Sequence, residues 1–168
     1  RTLLELIGDK KYAEAEILAN ELLAGKAKFL FEYALIEDQL ASIYMATERL
    51  HEALIASRNA TADSKAVIPI TQANTRLGKK SDAYPDTFLM QDYYLSALGK
   101  RFLIAASLNQ TGEMLQVYNL VKSTPGSDKA SDLLKGMQSQ IDQLQTTLAS
   151  EATVGSTVKL VNGAWSFT

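Results

Sequence analysis

The chain contains no cysteine, a single histidine and no apolar run that approaches the length of a membrane span. The lack of cysteine excludes a disulfide framework and thiolate metal sites, although it does not choose a cellular compartment. The lack of a long apolar run predicts no direct membrane insertion. The formal net charge is only -2, with both signs mixed along the chain, so no long-range field favours nucleic acid.

The length and composition of the chain fit one all-α domain. Its 168 residues, 46% of them hydrophobic, can bury roughly two thirds of the surface that the unfolded chain exposes. An ordinary hydrophobic core is then sufficient, and neither a metal nor a disulfide is needed. Residue 1 is arginine and no signal-peptide pattern follows it, so we expect a removed leader or a segment of a longer protein.

The clearest pattern lies in residues 39–60, which predict two short helices folded against each other. Ala41, Tyr44, Ala53 and Ala60 place small and aromatic side chains at the spacing of a helix crossing. Small residues let two helices approach closely, and the tyrosine fills the gap beside them. This pattern resembles a tetratricopeptide repeat, which implies an α-solenoid of antiparallel helical hairpins that binds a protein or peptide.

We expect the first helix of this hairpin from about residue 27 to residue 46. A turn at residues 47–49 follows, and the second helix runs from Leu50 to about Thr61. Thr47 is a predicted cap at this turn.

A partial unit of the same kind precedes this hairpin. A turn containing Gly8 is followed by Tyr12 and Ala15, which resemble the aromatic and small residues of a second repeat helix. The first helix of that unit is expected to lie before Arg1.

A third hairpin is predicted from residue 87 to about Lys122, with a turn at Thr111 and Gly112. Val117 occupies the position where the repeat has a small residue. The helical period predicts a broad buried face on the first helix of this hairpin, formed by Phe88, Leu89, Tyr93, Leu95, Leu98, Phe102, Leu103 and Ala106.

Between the second and third hairpins the helical period fails. Pro69, Gly78 and Pro85 interrupt a segment rich in Thr, Ser, Asn and Lys. These helix breakers predict an irregular insertion over residues 62–86, with one short helix at most.

The C-terminal part of the chain has two different patterns. Ser127 or Asp128 is expected to cap the next helix. Its apolar residues alternate in steps of three and four, which favours a terminal capping helix and a monomer over a dimeric coiled coil. Residues 157–168 have β-branched and aromatic residues around Asn162 and Gly163, which predict the start of a truncated β segment. The predicted division is therefore a helical domain over residues 1–149 and a linker with a short β-like tail over residues 150–168.

This order of segments carries a second resemblance. Helical hairpins followed by a linker and a strand with a Gly-x-Trp step, here Gly163 and Trp165, resemble tetratricopeptide-bearing bacterial envelope proteins of the TonB energy-transducer type. That resemblance implies a periplasmic module that contacts other envelope proteins.

The sequence predicts no enzyme, no cofactor and no metal. His51 is expected on a solvent-facing helix position with no Ser or Cys nucleophile near it in sequence. Residues 73–80 lack the first glycine of a phosphate-binding loop and predict only a basic loop. Asp82, Asp86 and Asp92 could hold calcium, but their irregular spacing favours capping and solubility.

The predicted partner-binding residues lie on the first helix of each hairpin, off its buried stripe. They are Asp38, Gln39, Ser42 and Met45 on the second hairpin, and Asn109 and Gln110 on the third. In a tetratricopeptide stack such positions line a concave groove, whereas Phe102 is expected in the core. The same positions are equally explained as solvated helix residues.

Two functions of different classes remain open. The first is a noncatalytic interaction scaffold with a protein or peptide partner, and an open groove would favour it. The second is a small-ligand-binding domain or enzyme with a site between hairpins and residues 62–86 as a lid. A deep apolar cavity with convergent polar groups would favour the second function.

Overall fold

In the computed structural model, the described residues are 1–26, 29–76, 87–124, 128–150, 158–161 and 164–167, with side chains described over 1–25, 29–73, 90–124, 128–144 and at 146. Within these ranges the fold is all-α with a short pair of strands. The elements are α1 Leu3–Gly8, α2 Tyr12–Glu21, a π-helical turn Leu22–Lys26, α3 Leu30–Ala46, α4 Leu50–Arg76, α5 Thr87–Ser107, α6 Thr111–Lys122, α7 Asp128–Ser150, β1 Val158–Val161 and β2 Ala164–Phe167.

The chain divides into two compact units, an N-terminal unit Arg1–Ile104 and a C-terminal unit Ala105–Thr168. None of the helices in the described ranges combines the length and the apolar character of a membrane span. The predicted boundary after residue 149 stays a prediction, because residues 151–157, directly after α7, lie outside those described.

Three helix ends share one turn geometry. Lys10, Glu48 and Asn109 each have a positive φ, of 59°, 60° and 56°. In each turn the N–H of the following residue bonds the carbonyl five residues before it, as Arg49 N does to Tyr44 O at 2.8 Å. This is the Schellman arrangement, which satisfies carbonyls at a helix end and reverses the chain.

The third of these turns corrects a prediction. The reversal lies at Asn109, and Thr111 and Gly112 belong to the first turn of α6. Asparagine tolerates the left-handed conformation, since its short polar side chain can hydrogen-bond locally. Thr47 is also placed differently, because its Oγ1 donates to Ile43 O at 2.9 Å and so caps the end of α3.

The helices α3 and α4 pack against each other, and both bury small side chains. Ala41, Ala53 and Ala60 are completely buried, and Tyr44 beside them is half-buried. Since an alanine adds only a methyl group to the backbone, two helices that meet at these positions can lie close together. The predicted second hairpin is thus present, while its assignment to the tetratricopeptide family stays a prediction.

Helix α4 continues 15 residues beyond its predicted end at Thr61, which corrects the irregular insertion over residues 62–76. Its buried stripe continues through Ser64, Val67 and Thr71. The hydroxyls of Ser64 and Thr71 donate to carbonyls of their own helix, as Ser64 Oγ does to Ala60 O at 2.6 Å. The buried stripe is therefore not visible as an apolar period. Residues 77–86 of the predicted insertion lie outside those described.

Helix α5 buries part of the predicted face. Leu95 and Leu98 are buried as predicted, and the side chains of Phe88 and Leu89 lie outside those described. Tyr93 and Leu103 are exposed, whereas Arg101 is buried and its Nη1 donates to Thr61 Oγ1 at 3.2 Å. Phe102 is buried as predicted. Apolar residues surround most of this helix, so the period alone could not select the face, and the partner of Arg101 lies on α4.

In the C-terminal unit, α6 contacts α7 and β2. Helix α6 buries Met114, Val117 and Val121, and α7 buries Met137 and Ile141. The strands pair antiparallel, with Val158 opposite Phe167 and Val161 opposite Ala164. Whether the chain is a monomer or a dimer stays a prediction.

Candidate functional site

A groove with a volume of about 330 Å³ lies over one face of α3 in the N-terminal unit. Its floor is formed by Glu37, Leu40 and Tyr44, which share a face because they are three and four residues apart. Asn20 of α2 and Leu23 of the π-helical turn form one wall. The groove therefore combines an apolar floor with a carboxyl, a phenol and an amide.

The opposite wall of the groove comes from α4. Ile55, Ala56 and Asn59 line it, together with Glu52 at one end. Ile55 is 58% exposed, although it is a large aliphatic residue. An exposed apolar side chain beside a concave surface is a common feature of binding sites, because its burial against a partner is favourable.

One end of the groove carries an ionic cluster around Tyr44. The guanidinium of Arg49 lies 4.5 Å from the centre of the Tyr44 ring, and its Nη1 donates to Glu16 Oε2 at 2.6 Å. Arg49 also binds Glu52 through two hydrogen bonds, one of them from Nε to Oε1 at 2.9 Å. These contacts join α2 to the start of α4, and the positive charge of Arg49 is shared by two carboxylates.

The pKa values in this cluster follow from the same contacts. Hydrogen bonds to Glu52 and Glu16 raise the pKa of Arg49, and the bond from Arg49 lowers the pKa of Glu52. Burial, and after it the charge of Glu16, raises the pKa of Tyr44. Arg49 and Glu52 are thus charged at neutral pH, and the Tyr44 phenol keeps its proton.

A pair of carboxyls lies at the α3–α4 contact beside the groove. The side chain of Glu37 shares a hydrogen bond with Asp63, and burial, followed by this bond and by the Asp63 charge, raises the pKa of Glu37 to about 8. A carboxyl with such a pKa holds its proton at neutral pH. Glu37 is therefore poised to change its charge when its surroundings change.

Two of the predicted partner-binding residues lie on the other side of α3. Lys100 of α5 donates from Nζ to Asp38 Oδ2 at 2.9 Å and to Ser42 Oγ at 2.7 Å. The structure therefore brings Asp38 and Ser42 together, but as partners of a lysine of the same unit. Gln39 and Met45 are half-buried on the same helix.

The remaining two predicted residues belong to the C-terminal unit. Asn109 is exposed at the left-handed turn position, and the half-buried Gln110 directly precedes α6. Each unit is described by itself, so the predicted continuity between these residues and those on α3 stays a prediction.

Sequence reasoning missed the groove itself. Glu37 is not among the predicted partner-binding residues. The available signal was the stripe of Glu37, Leu40 and Tyr44, an acidic residue in line with two large ones. Asp63 could not be paired with Glu37 while residues 62–86 were expected to be irregular.

The residues considered for chemistry lie apart from this groove. His51 is exposed on α4, as predicted, and Asp92 is exposed on α5. Residues 77–80 of the basic loop, together with Asp82 and Asp86, lie outside those described. In the described part of the chain, no group of three or more His, Cys, Asp or Glu side chains could hold a metal ion.

A second, shallower depression lies on the C-terminal unit. It has a volume of about 490 Å³ between α6 and α7, where Tyr118 Oη donates to Gln138 Oε1 at 2.7 Å. Lys135 and Asp142 flank this bond. The polar groups at its centre bond each other, so this depression offers less to a ligand than the groove over α3.

No protein-family model matches the chain, and neither a curated protein nor a solved structure matches it.

Proposed function

We propose that this chain is a noncatalytic interaction module that binds a segment of a peptide or protein partner in the groove over α3. The observation that carries this proposal is the open groove itself, with Ile55 exposed on its wall and Leu40 and Tyr44 on its floor. A concave surface of mixed apolar and polar side chains fits an extended or helical segment. Its volume, about 330 Å³, matches a few side chains of such a segment.

The rigidity of the helices around the groove supports this function. The α3–α4 pair has completely buried alanines at its contact, and Arg49 ties α2 to α4. A preformed surface binds more tightly than a mobile one, because less conformational entropy is lost when the partner docks. Repeated hairpin turns at Lys10 and Glu48 are in keeping with a tetratricopeptide-like scaffold.

The face of α3 that binds the partner is the main difference from the sequence-based prediction. Lys100 occupies the polar groups of Asp38 and Ser42, whereas Glu37 and Tyr44 lie in the groove on another side of the helix. We therefore place the partner in the groove. The competing site for the partner is the face predicted from the sequence, which carries Gln39 and Met45.

The cellular setting is proposed from the sequence resemblance alone. A TonB-type envelope protein would place this module in the periplasm, with another envelope protein as its partner. The Gly-x-Trp step at Gly163 and Trp165 is the residue pattern on which this setting rests.

A small-ligand site or an enzyme is the second candidate, and one observation favours it. Glu37 lines a cavity and has a pKa of about 8, and titratable groups with such shifts are concentrated in functional sites. Residues 62–76, which the sequence assigns to the lid of this candidate, continue helix α4.

A pull-down from a bacterial envelope extract tests the groove against the competing face. Ile55→Glu places a charge on the groove wall, and Ile70→Glu is its matched control, since Ile70 is an exposed isoleucine of the same helix outside the groove. Met45→Glu changes the competing face. We expect Ile55→Glu alone to lose the partner.

The outcomes separate the proposals. Loss of the partner with Met45→Glu and not with Ile55→Glu would return the site to the predicted face. Equal recovery with all three variants would reject both faces. Stoichiometric retention of a small metabolite, measured by native mass spectrometry of the purified chain, would favour the second candidate.

A further inference from the structure

Within the described residues, no ion pair joins a basic side chain to the acidic pair beside the groove. The Asp63 carboxyl of α4 lies beside the Glu37 carboxyl of α3 and helps to raise its pKa. The shielded Oε2 of Glu37 has no hydrogen-bond partner within the described residues. Two neighbouring carboxyls repel each other when both are charged. One of them therefore keeps its proton, since no positive group in the described part of the chain neutralises the pair.

The nearby basic side chains are engaged elsewhere. Arg49 binds Glu16 and Glu52 at the other end of the groove. Lys100 of α5 approaches α3 from another side and binds Asp38. Among the charged groups described on α2, α3 and α4, the negative ones around this groove thus exceed the positive ones.

We propose that the groove over α3 takes a lysine or arginine side chain of the partner, whose charged head pairs with Glu37 and Asp63. This inference rests on the proposed function and names the chemistry of the partner. Leu40, Tyr44 and Leu23 offer apolar surface to the methylene stem, while the carboxyl pair meets the charge. A long basic side chain has this division of apolar stem and charged head.

An organic cation fits the groove better than a metal ion does. A divalent metal requires several oxygen ligands around one point, and within the described residues no group of three or more candidate ligands is found. An ammonium or guanidinium group donates hydrogen bonds to two carboxyls without further ligands. The apolar floor also has no role in a metal site.

Binding of the cation displaces the proton that the carboxyls share. The pair begins with one proton on Glu37, and the incoming positive charge favours the ionised form, so that proton passes to solvent. Affinity then rises with pH by up to about tenfold per pH unit, until the pH reaches the pKa of Glu37 at about 8. His51 is an exposed residue of α4 outside the groove lining, so His51→Gln serves as a control.

The test uses two probes that differ only in charge. N-acetyl-arginine methylamide carries a guanidinium, and N-acetyl-citrulline methylamide replaces it with a neutral urea group of similar size. Each is titrated into the isotopically labelled chain, and amide chemical shifts are followed by NMR at pH 6.5, 7.5 and 8.5. We expect the arginine probe to bind about tenfold more tightly and to shift the amides of Glu37, Leu40 and Ile55.

Two variants assign the effect to the carboxyl pair. Glu37→Gln keeps the size of the side chain but removes its charge, and Asp63→Asn does the same across the contact. Both are expected to lose the preference for the arginine probe, and Glu37→Gln also loses the pH dependence. Circular dichroism of both variants confirms that the helices are retained, and Asp63→Asn provides the test if Glu37→Gln fails to fold.

Equal binding of the two probes, no binding of either, or an arginine preference that survives both variants would overturn the inference. Displacement of the arginine probe by stoichiometric calcium would overturn it in favour of a metal site. The proposed function is judged separately. If Ile55→Glu abolishes partner capture while the probes show no charge preference, the groove binds a partner and only its basic side chain is rejected.

Discussion

The α3–α4 pair of the N-terminal unit and the α6–α7 pair of the C-terminal unit are built on different side chains. The first buries Ala41, Ala53 and Ala60, which add almost no volume between the helices. In the second pair, large apolar side chains such as Val117 and Ile141 are fully buried. The first pair buries large residues such as Ile43 as well, so the two pairs differ in the completely buried alanines of the first.

This difference determines which mutations each unit can tolerate. A contact through alanine has no room for a larger side chain, so it is sensitive to enlargement. A contact through isoleucine and methionine is sensitive to truncation, because a lost side chain leaves a cavity. Opposite substitutions are therefore expected to be damaging in the two units.

The largest effect is expected from Ile141→Ala in α7. Ile141 is completely buried, and such a truncation costs about 2–5 kcal/mol of unfolding free energy. Urea denaturation followed by the fluorescence of Trp165, which belongs to the C-terminal unit, measures it. The exposed Ser139→Ala is the control, and an Ile141→Ala midpoint equal to that of the control would contradict the large-side-chain packing.

Ala53→Leu tests the other half of the comparison. Ala53 is completely buried, and a leucine there would overpack α4 against its neighbouring helices at a cost of about 1–3 kcal/mol. Ala62→Leu enlarges an exposed alanine of the same helix and is expected to have little effect. Circular dichroism during urea unfolding compares the two, and an unchanged midpoint for Ala53→Leu would show that the helices do not meet closely there.

A smaller effect is expected where the two units are alike, at their left-handed turns. Glycine in place of Lys10 or Glu48 relieves a conformation that is unfavourable for most residues, with a net gain of about 1 kcal/mol. Asn109→Gly should gain less, because asparagine tolerates this conformation. Thermal unfolding of the three variants ranks them, and destabilisation by Glu48→Gly would contradict the turn geometry.

A pH dependence is also expected, because the Glu37 carboxyl lies beside Asp63 at the α3–α4 contact. The pKa of Glu37 is raised to about 8 in the folded chain, so the folded state retains a proton that the unfolded state releases above about pH 4.5. Stability from this group is therefore present at low pH and is lost as the pH rises from about 4.5 to 8.

Glu37→Gln resembles the protonated acid and should flatten this decline. Urea midpoints at pH 5.5, 7 and 8.5 test it, with the exposed Glu14→Gln as the control. A midpoint that rises with pH in the wild-type chain relative to Glu37→Gln would show that Glu37 is charged in the fold.

The second hairpin shows how much of the fold a local sequence pattern can predict. The spacing of Ala41 and Ala53 predicts a close helix pair, because these residues and their turn lie within one short stretch of sequence. The three-four spacing of Met137 and Ile141 likewise predicts the buried side of α7, and both residues are buried. The length of α4 could not be predicted, since its buried stripe uses Ser64 and Thr71, whose hydroxyls bond carbonyls of their own helix.

By itself the sequence determined the helical class, the position of the α3–α4 turn and the small residues at that helix contact, because each depends on neighbours within a few turns of helix. Only the tertiary structure decided which side of α3 remains available to a partner. Lys100 lies 58 residues beyond Ser42, yet it occupies that side, and Asp63 meets Glu37 only because α4 is continuous. Charge pairing across helices depends on distances in space, which no local period of the sequence specifies.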